Sequence, residues 1–191
     1  ILQKFMDGGG KAVYLINPLA DELSNFNRLF DSYGLKLENN LIVETDSTNY
    51  LNSQIMIKPQ MNKKNPVLQS VIEADAGLVL PRCRGIASIE KENIKFDPII
   101  YSSESSYGKV NPYTETLEKE TGDTEGPFLL GATAGNNENG SKLVLLGSSD
   151  FVSTLENAKY EGNIGLFMDS VAWASGKVNS VAIQPKSLIS A

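Results

Sequence analysis

The chain has 191 residues, with 41% hydrophobic residues, 21% charged residues and a formal net charge of −6, which predicts an ordinary globular domain with a sizeable core. Nucleic acid and anionic lipid are disfavoured as partners, because both bind basic surfaces. The sequence has no histidine and one cysteine. Ser-His-Asp and Cys-His catalysis, nearly all zinc sites and an intramolecular disulfide are therefore excluded.

The chain opens on a helix pattern. Ile1, Leu2, Phe5 and Met6 share one helical face, but no N-cap residue precedes them. This start is typical of a helix entered from upstream, so we interpret the chain as an excised soluble fragment of a longer protein, with residues 1–191 forming one α/β domain. The glycines at 8–10 follow this helix and precede a strand. That order is the reverse of a phosphate loop, and it predicts a helix C-cap and a turn.

Continuous apolar runs are the main strand signal. They occupy Ala12–Ile16, Leu41–Val43, Ile55–Ile57, Gly77–Leu80, Phe128–Leu130 and Leu143–Leu146. Runs without polar alternation are typical of strands covered on both faces, as in a parallel sheet. The sequence therefore predicts a Rossmann-like three-layer fold, flavodoxin-like or class I glutamine amidotransferase-like, with a mainly parallel sheet.

Helical patterns separate these strands. Apolar residues from Leu23 to Tyr33 predict a helix that Asp21 caps and Gly34 ends, which completes a strand-helix-strand unit with a right-handed crossover. Asn65–Ala74 predicts a shorter helix. A last helix is expected from Ile164 to Ser175, ended by Gly176, and Val181–Ile183 predicts a last strand after it.

The middle of the chain is less regular. Ile94–Tyr101 reads as a strand, and the Asn136–Gly140 turn predicts an antiparallel hairpin between Phe128–Ala134 and Lys142–Leu146, placed at one edge of the sheet. Residues 102–126 form a long, polar, acidic stretch. We interpret it as a solvated insertion, with a functional loop as the alternative.

Polar residues at the carboxyl end of a strand form the candidate site. Ser148, Ser149 and Asp150 directly follow the Leu143–Leu146 run, and Asn163 opens the last helix. Ligand sites of open α/β sheets gather at such strand ends. These four residues are therefore predicted to bind a ligand or partner; the alternative is that Ser149 and Asp150 cap the turn. No second carboxylate follows at ligand spacing, so no metal and no cofactor is expected.

Cys83 is the one residue in the sequence that could be interpreted as a catalytic nucleophile. It lies between Arg82 and Arg84, directly after the Gly77–Leu80 strand, and flanking cations favour a thiolate. Acyl transfer also needs a base, and no histidine can serve. Cys83 is therefore predicted to be an unreactive thiol.

Several segments resemble a known family. They are Leu2–Pro18 (LQKFMDGGGKAVYLINP), Phe96–Lys109 (FDPIIYSSESSYGK), Gly147–Phe151 (GSSDF), Gly162–Gly176 (GNIGLFMDSVAWASG) and Ile183–Lys186 (IQPK). Together they resemble the soluble domain of the uncharacterised ABC-type transport-system auxiliary proteins, which include the gliding-motility auxiliary component. The motifs are structural in character, not catalytic.

This resemblance implies a non-catalytic domain on the extracytoplasmic face of the membrane. Membrane segments outside this chain would anchor it beside the membrane and ATPase subunits of an ABC transporter. It would act by protein contact or by ligand binding. Two alternatives stay open: a degenerate amidotransferase-like or hydrolase enzyme, which needs a carboxylate pair or a metal, and a domain that senses a small molecule or glycan.

Overall fold

The computed structural model describes residues 1–19, 22–154 and 159–177. Its α-helices are α1 (Leu2–Asp7), α2 (Ser24–Asp31), α3 (Gln69–Glu73), α4 (Asp150–Ser153) and α5 (Glu161–Ser175). Its strands are β1 (Lys11–Leu15), β2 (Leu35–Leu37), β3 (Leu41–Val43), β4 (Tyr50–Leu51), β5 (Ser53–Ile57), β6 (Gln60–Met61), β7 (Leu80–Pro81), β8 (Ile86–Ser88), β9 (Ile94–Tyr101), β10 (Tyr107–Lys109), β11 (Thr124–Glu125), β12 (Leu129–Asn136) and β13 (Lys142–Leu146). Two short 3-10 turns complete the set, at Ser47–Asn49 and Pro66–Leu68.

The main sheet has seven strands in mixed orientation. Its path runs β1-β13-β12-β8-β2, with β9 also beside β12 and β6 beside β9. Within the described residues, β1 and β13 are its one parallel pair, and every other pairing in it is antiparallel. Two smaller antiparallel sheets, β11-β10-β3 and β4-β5-β7, lie outside it. The structure is therefore a β-rich fold with a curled, half-barrel main sheet.

The Rossmann-like prediction is wrong, whether drawn as flavodoxin-like or amidotransferase-like. The strand-helix-strand unit at the start is not a parallel crossover, because β1 pairs with β13 whereas β2 pairs antiparallel with β8 at the opposite end of the sheet. Strand β3 is not in that sheet at all; it pairs antiparallel with β10. The hairpin of β12 and β13 lies in the middle of the sheet and not at its edge.

Most of the local predictions are confirmed. Strands β3 and β9 have the predicted bounds, and Gly176 ends α5 in the left-handed conformation with φ of 76°. The Asn65–Ala74 helix divides into a 3-10 turn and α3, and the predicted Gly77–Leu80 strand is reduced to β7. Asp21 and the predicted strand Val181–Ile183 lie outside the described residues.

The continuous apolar runs correctly predict strands that are buried on both faces of the sheet. On β13, Val144 and Leu146 belong to one core cluster, and Leu143 and Leu145 belong to a second. Successive side chains of a strand point to opposite faces, so both faces of the sheet are covered. Helices α3 and α5 lie over the first face, and α1 and α2 over the second. None of the described helices is long and apolar enough to cross a membrane.

Gly131 marks an irregularity that accompanies the curl of the sheet. The register between β12 and β9 shifts on either side of Gly131, and bulges of this kind bend a strand and increase its twist. A Cβ atom placed there would lie 2.5 Å from a side-chain carbon of Leu146 and 3.0 Å from one of Ile100. A side chain at position 131 would therefore have to displace the buried side chains of Leu146 and Ile100.

The acidic stretch at 102–126 is anchored by a buried lysine. The Lys109 side chain is fully buried, and its ammonium donates hydrogen bonds to the Glu118 carbonyl (2.6 Å), the Glu120 carboxylate (2.9 Å) and the Asp123 carboxylate (3.2 Å). Burial opposes the charge of Lys109, but these acidic partners outweigh it and raise its pKa. Strand β11 also pairs with β10. These contacts lie within the stretch, and the antiparallel pairing of β10 with β3 attaches it to the body of the domain.

The Asp123 carboxylate is the buried member of this cluster. Its side chain is only 4% exposed, and burial raises its pKa. Hydrogen bonds from the N–H groups of Glu120 and Val110, together with the Lys109 ammonium, more than offset that effect, so the net pKa is lowered. The ion pair is therefore held in its charged form under the loop.

We expect Lys109→Ala to lower the free energy of unfolding by about 3–5 kcal/mol, because it leaves the Asp123 carboxylate buried without its cation. Urea unfolding followed by circular dichroism measures the change. Lys119→Ala is the matched control, since Lys119 pairs with Glu125 on the surface and such pairs contribute roughly 0–1 kcal/mol. Equal losses for the two variants would show that Lys109 does not anchor the loop.

Candidate functional site

The parallel pairing of β1 and β13 brings two chain segments to one edge of the sheet. Asn17 follows β1, and Ser149 and Asp150 follow β13. The Asn17 side chain joins the two segments: its Oδ1 accepts the Ser149 N–H at 2.6 Å, and its Nδ2 donates to Asp150 Oδ1 at 2.6 Å. The predicted strand-end cluster therefore exists, with Asn17 as a member that the sequence reasoning missed.

Ser148 is buried in this edge. Its hydroxyl donates a 2.6 Å hydrogen bond to the Pro81 carbonyl, and its side chain is fully enclosed. The next residues, Ser149 and Asp150, are half-buried and begin α4. Ser148 therefore attaches β7 to the end of β13 and is not available to an external ligand.

Asn163 is also buried, at the start of α5. Its Oδ1 accepts the Val79 N–H at 3.0 Å, and its Nδ2 donates to the carbonyls of Val79 (2.8 Å) and Phe151 (3.0 Å). One amide side chain thus pairs with both main-chain groups of Val79, as a neighbouring strand would. Asn163 joins the segment before β7 to α4 and α5.

The four predicted site residues therefore lie near the junction of β7, the end of β13 and the start of α5. They differ in whether an external ligand could reach them. Ser148 and Asn163 bond main-chain groups in the interior, whereas Ser149 and Asp150 are partly accessible. Ligand binding by any of the four stays a prediction. The turn-capping alternative is not observed for Ser149, which makes no side-chain capping bond to α4; the Ser149 N–H and the Asp150 carboxylate instead bond the side chain of Asn17.

We expect Asn163→Ala to lower the free energy of unfolding by about 2–4 kcal/mol, because it leaves the Val79 N–H and the carbonyls buried without partners. Asn137→Ala is the control, since the Asn137 side chain is exposed and such changes stay within roughly 0.5 kcal/mol. Chemical denaturation of both variants tests this. A loss below 1 kcal/mol for Asn163→Ala would contradict the structural role.

Cys83 is enclosed in the core. Its side chain is fully buried, and Sγ lies 3.7 Å from the Leu80 carbonyl oxygen. Burial, with a smaller contribution from the negative charge of Asp150, raises the pKa of the thiol well above its usual range. The thiolate that a nucleophile requires is thus disfavoured.

We expect a thiol reagent such as Ellman's reagent to leave Cys83 unmodified in the native protein at pH 8 and to label one thiol per chain in denaturant. Labelling at the rate of a free thiol under native conditions would contradict the burial of this residue. Cys83→Ala should retain the fold at a cost of about 1 kcal/mol, because it removes one buried heavy atom.

Arg84, the next residue in the chain, is a buried cation. The residue is 2% exposed, yet its guanidinium makes no ion pair within 4 Å in the part of the chain that the structure describes. Nε and Nη2 both donate to the Glu38 carbonyl, at 2.8 and 2.6 Å, and Nη1 donates to the Asn17 carbonyl at 3.2 Å. Burial lowers its pKa. The sequence reasoning treated Arg84 as a neighbour of Cys83 and missed this role.

Arg84 lines a surface groove of about 360 Å³ that we call the Arg84 groove. It lies between the end of β2 and the β10–β11 region. Its lining residues are Glu22, Leu23, Asn27, Lys36, Leu37, Glu38, Asn39, Asn40, Arg84, Ala87, Gly108, Val110 and Thr124. The volume lies near the lower end of the roughly 300–1,000 Å³ that small-ligand sites occupy.

Hydrogen bonds fix the polar wall of this groove. Asn40 is buried, accepts the Gly85 N–H on Oδ1 at 2.8 Å and donates from Nδ2 to the Glu38 carboxylate at 3.0 Å. A Cβ on Gly85 would lie 2.3 Å from that carboxylate, and one on Gly108 would lie 2.8 Å from Asn40 Nδ2. The two glycines therefore make space for the Glu38–Asn40 pair, which is held in place before any ligand arrives.

Among the described residues, no group of three or more His, Cys, Asp or Glu side chains could hold a metal ion. Asp46 accepts hydrogen bonds from the N–H and hydroxyl of Thr48, and these lower its pKa. Asp46 thus caps a 3-10 turn.

No protein-family model matches the chain, and no curated protein matches it. Among solved structures, the chain is similar to the "mmIFT52 N-terminal domain", with a TM-score of 0.60 and 15% sequence identity. The match covers 96% of this chain and 71% of that one. At this identity the likeness shows the fold alone.

This likeness agrees with a mixed, β-rich domain and not with the α/β, Rossmann-like and amidotransferase-like descriptions predicted from the sequence, which are wrong. It also gives no support to the label of an ABC transporter auxiliary protein. That affiliation rests on the sequence segments alone.

Proposed function

We propose that this domain is a non-catalytic binding domain that acts through contact with a partner protein at the Arg84 groove. The observation that carries the proposal is the groove itself, which combines a buried cation, a hydrogen-bonded polar wall and apolar rim residues at Leu23 and Val110. Pre-formed, mostly fixed concave surfaces with a few convergent polar groups are the usual form of recognition sites.

The setting of this contact comes from the sequence resemblance. By that resemblance the domain would belong to an ABC-type transport system, on the extracytoplasmic face of the membrane, with transporter subunits as the partner. Membrane attachment would come from segments outside this chain. Each of these points is a prediction from the resemblance alone.

The burial of Cys83 argues against the amidotransferase-like alternative. Its nucleophile would be Cys83, and that thiol is enclosed in the core with a raised pKa. The sensing alternative is closer to the proposal, because the same groove would bind its small molecule. The two differ in what occupies the groove in the cell.

Site-specific cross-linking in the full-length, membrane-embedded protein tests the proposal. A cysteine at Val110, which is 59% exposed at the groove rim, should cross-link to a partner protein through a bifunctional maleimide. Ile164→Cys on α5 is the matched control, because Ile164 is also exposed and lies outside the groove. Mass spectrometry then identifies the captured chain.

Capture from Val110→Cys and not from Ile164→Cys supports contact at the groove, and a transporter subunit as the captured chain supports the proposed setting. Capture from the α5 position alone would overturn the groove as the contact surface. Absence of any captured protein from both positions, with the variants folded and present at normal levels, would overturn the proposal of a protein-contact domain.

A further inference from the structure

We infer that the Arg84 groove takes the free carboxyl end of a peptide chain. This inference rests on the proposed function and names the chemistry by which a partner would be recognised. It starts from the guanidinium of Arg84, continues with the charges around it, and ends with the size and the lining of the groove.

The guanidinium of Arg84 retains hydrogen-bonding capacity after its internal contacts are made. A guanidinium carries five N–H donors, and three hydrogen bonds run to the carbonyls of Glu38 and Asn17. Two donors therefore remain within the described structure. Both acceptor carbonyls are neutral. The charge of Arg84, a residue that is 2% exposed, is therefore compensated by dipoles, and no carboxylate of the described residues lies within 4 Å of it.

A buried cation without an anion is costly, and a planar carboxylate is the partner that fits a guanidinium fork. Asp150 does not fill this role directly. It is linked to Arg84 through Asn17, whose carbonyl accepts from Arg84 and whose Nδ2 donates to Asp150. These hydrogen bonds thus link Asp150 to Arg84 only through Asn17, and Arg84 also lines the groove, where an external anion would approach it.

The charges that line the groove favour a single negative charge on the ligand. Glu22 and Glu38 carry two negative charges, and Lys36 and Arg84 carry two positive ones. A carboxylate that approaches Arg84 and Lys36 meets both cations. A phosphate dianion would bring a second negative charge close to the Glu38 carboxylate, which Asn40 holds in place. The balance favours a carboxylate over a phosphate.

The size and the remaining lining favour a chain terminus over a folded surface. A groove of about 360 Å³ holds a short segment only. The side-chain amide of Asn27 lines it beside the apolar Leu23, Leu37 and Val110; its Oδ1 accepts the Leu37 N–H at 3.2 Å, and no acceptor for its Nδ2 is found among the described residues. Amides suit the main-chain groups of a peptide, and the apolar residues suit its last side chain.

Titration of the 191-residue chain by two-dimensional NMR tests the inference. The probes are N-acetyl-Ala-Ala with a free carboxyl group, the same dipeptide as its carboxamide, and inorganic phosphate. The free acid should shift the amide resonances of Gly85 and Gly108. The carboxamide should bind about tenfold or more weakly, since hydrogen bonds between charged groups contribute roughly 1.5–3 kcal/mol. Phosphate should bind more weakly than the free acid.

Two charge-reversal variants separate the groove from general electrostatics. Lys36→Glu at the exposed rim should weaken binding of the free acid by about fivefold or more. This corresponds to roughly 1 kcal/mol, the Coulombic energy of two unit charges about 4 Å apart in water. Lys58→Glu changes the net charge equally at an exposed position outside the groove and should leave the affinity within about twofold. Arg84→Lys keeps the positive charge but loses the planar guanidinium, so it should weaken binding of the free acid. The NMR spectrum of the variant must first show a native fold.

Equal binding of the acid and the carboxamide, tighter binding of phosphate, or no shift at Gly85 and Gly108 would each overturn the inference. An equal effect of Lys36→Glu and Lys58→Glu would do the same. These outcomes leave the proposed function standing if Val110→Cys still captures a partner. Failure of the cross-link together with tight binding of the acid would instead indicate a small-molecule site.

Discussion

The organisation of this domain depends on a close backbone crossing at Gly147. The Arg84 N–H donates to the Gly147 carbonyl at 2.8 Å, and the Gly147 N–H donates to the Leu130 carbonyl at 2.8 Å. A Cβ on Gly147 would lie 2.2 Å from the Arg84 carbonyl oxygen, so no other residue fits without displacing the backbone. The crossing attaches the segment after β7 to the end of β13.

Several separate parts of the structure meet at this crossing. Through Cys83, whose carbonyl accepts the Ile42 N–H at 2.9 Å, it connects to β3 and the smaller sheets. Through Ser148 it holds β7 in place. Through Arg84 it reaches the loop after β2 and the end of β1. The groove is therefore built on rigid main chain, which is what a recognition surface needs if it is to bind without reordering.

The local elements could be predicted from the sequence because their signals are local. Strand β3 follows from an apolar run, and α5 ends where Gly176 can adopt a positive φ. The orientation of the strands could not be predicted in this way. A run such as that of β13 is buried on both faces in either kind of sheet, so burial does not distinguish a parallel neighbour from an antiparallel one.

Only part of the candidate site could be predicted, because the sequence does not show which distant segments come together. The strand end at Ser148–Asp150 follows from local order, but the roles of its members depend on segments far away in the sequence. Asn163 bonds Val79, 84 residues earlier, and Asn17 bonds Asp150, 133 residues later. The sequence indicated Arg84 only as a cation beside Cys83, and its contacts with the loops after β1 and β2 become apparent only in the folded chain.

The enclosure of Lys109 has a consequence for chemical mapping of the surface. Its amine is shielded while the neighbouring loop is closed, so reagents that acylate lysines should spare it and modify exposed lysines such as Lys58 and Lys95. Acylation at this position would then report the moment at which residues 110–125 detach. The lysine is in effect an internal marker of loop opening, and it can be used in the intact protein without introducing a label.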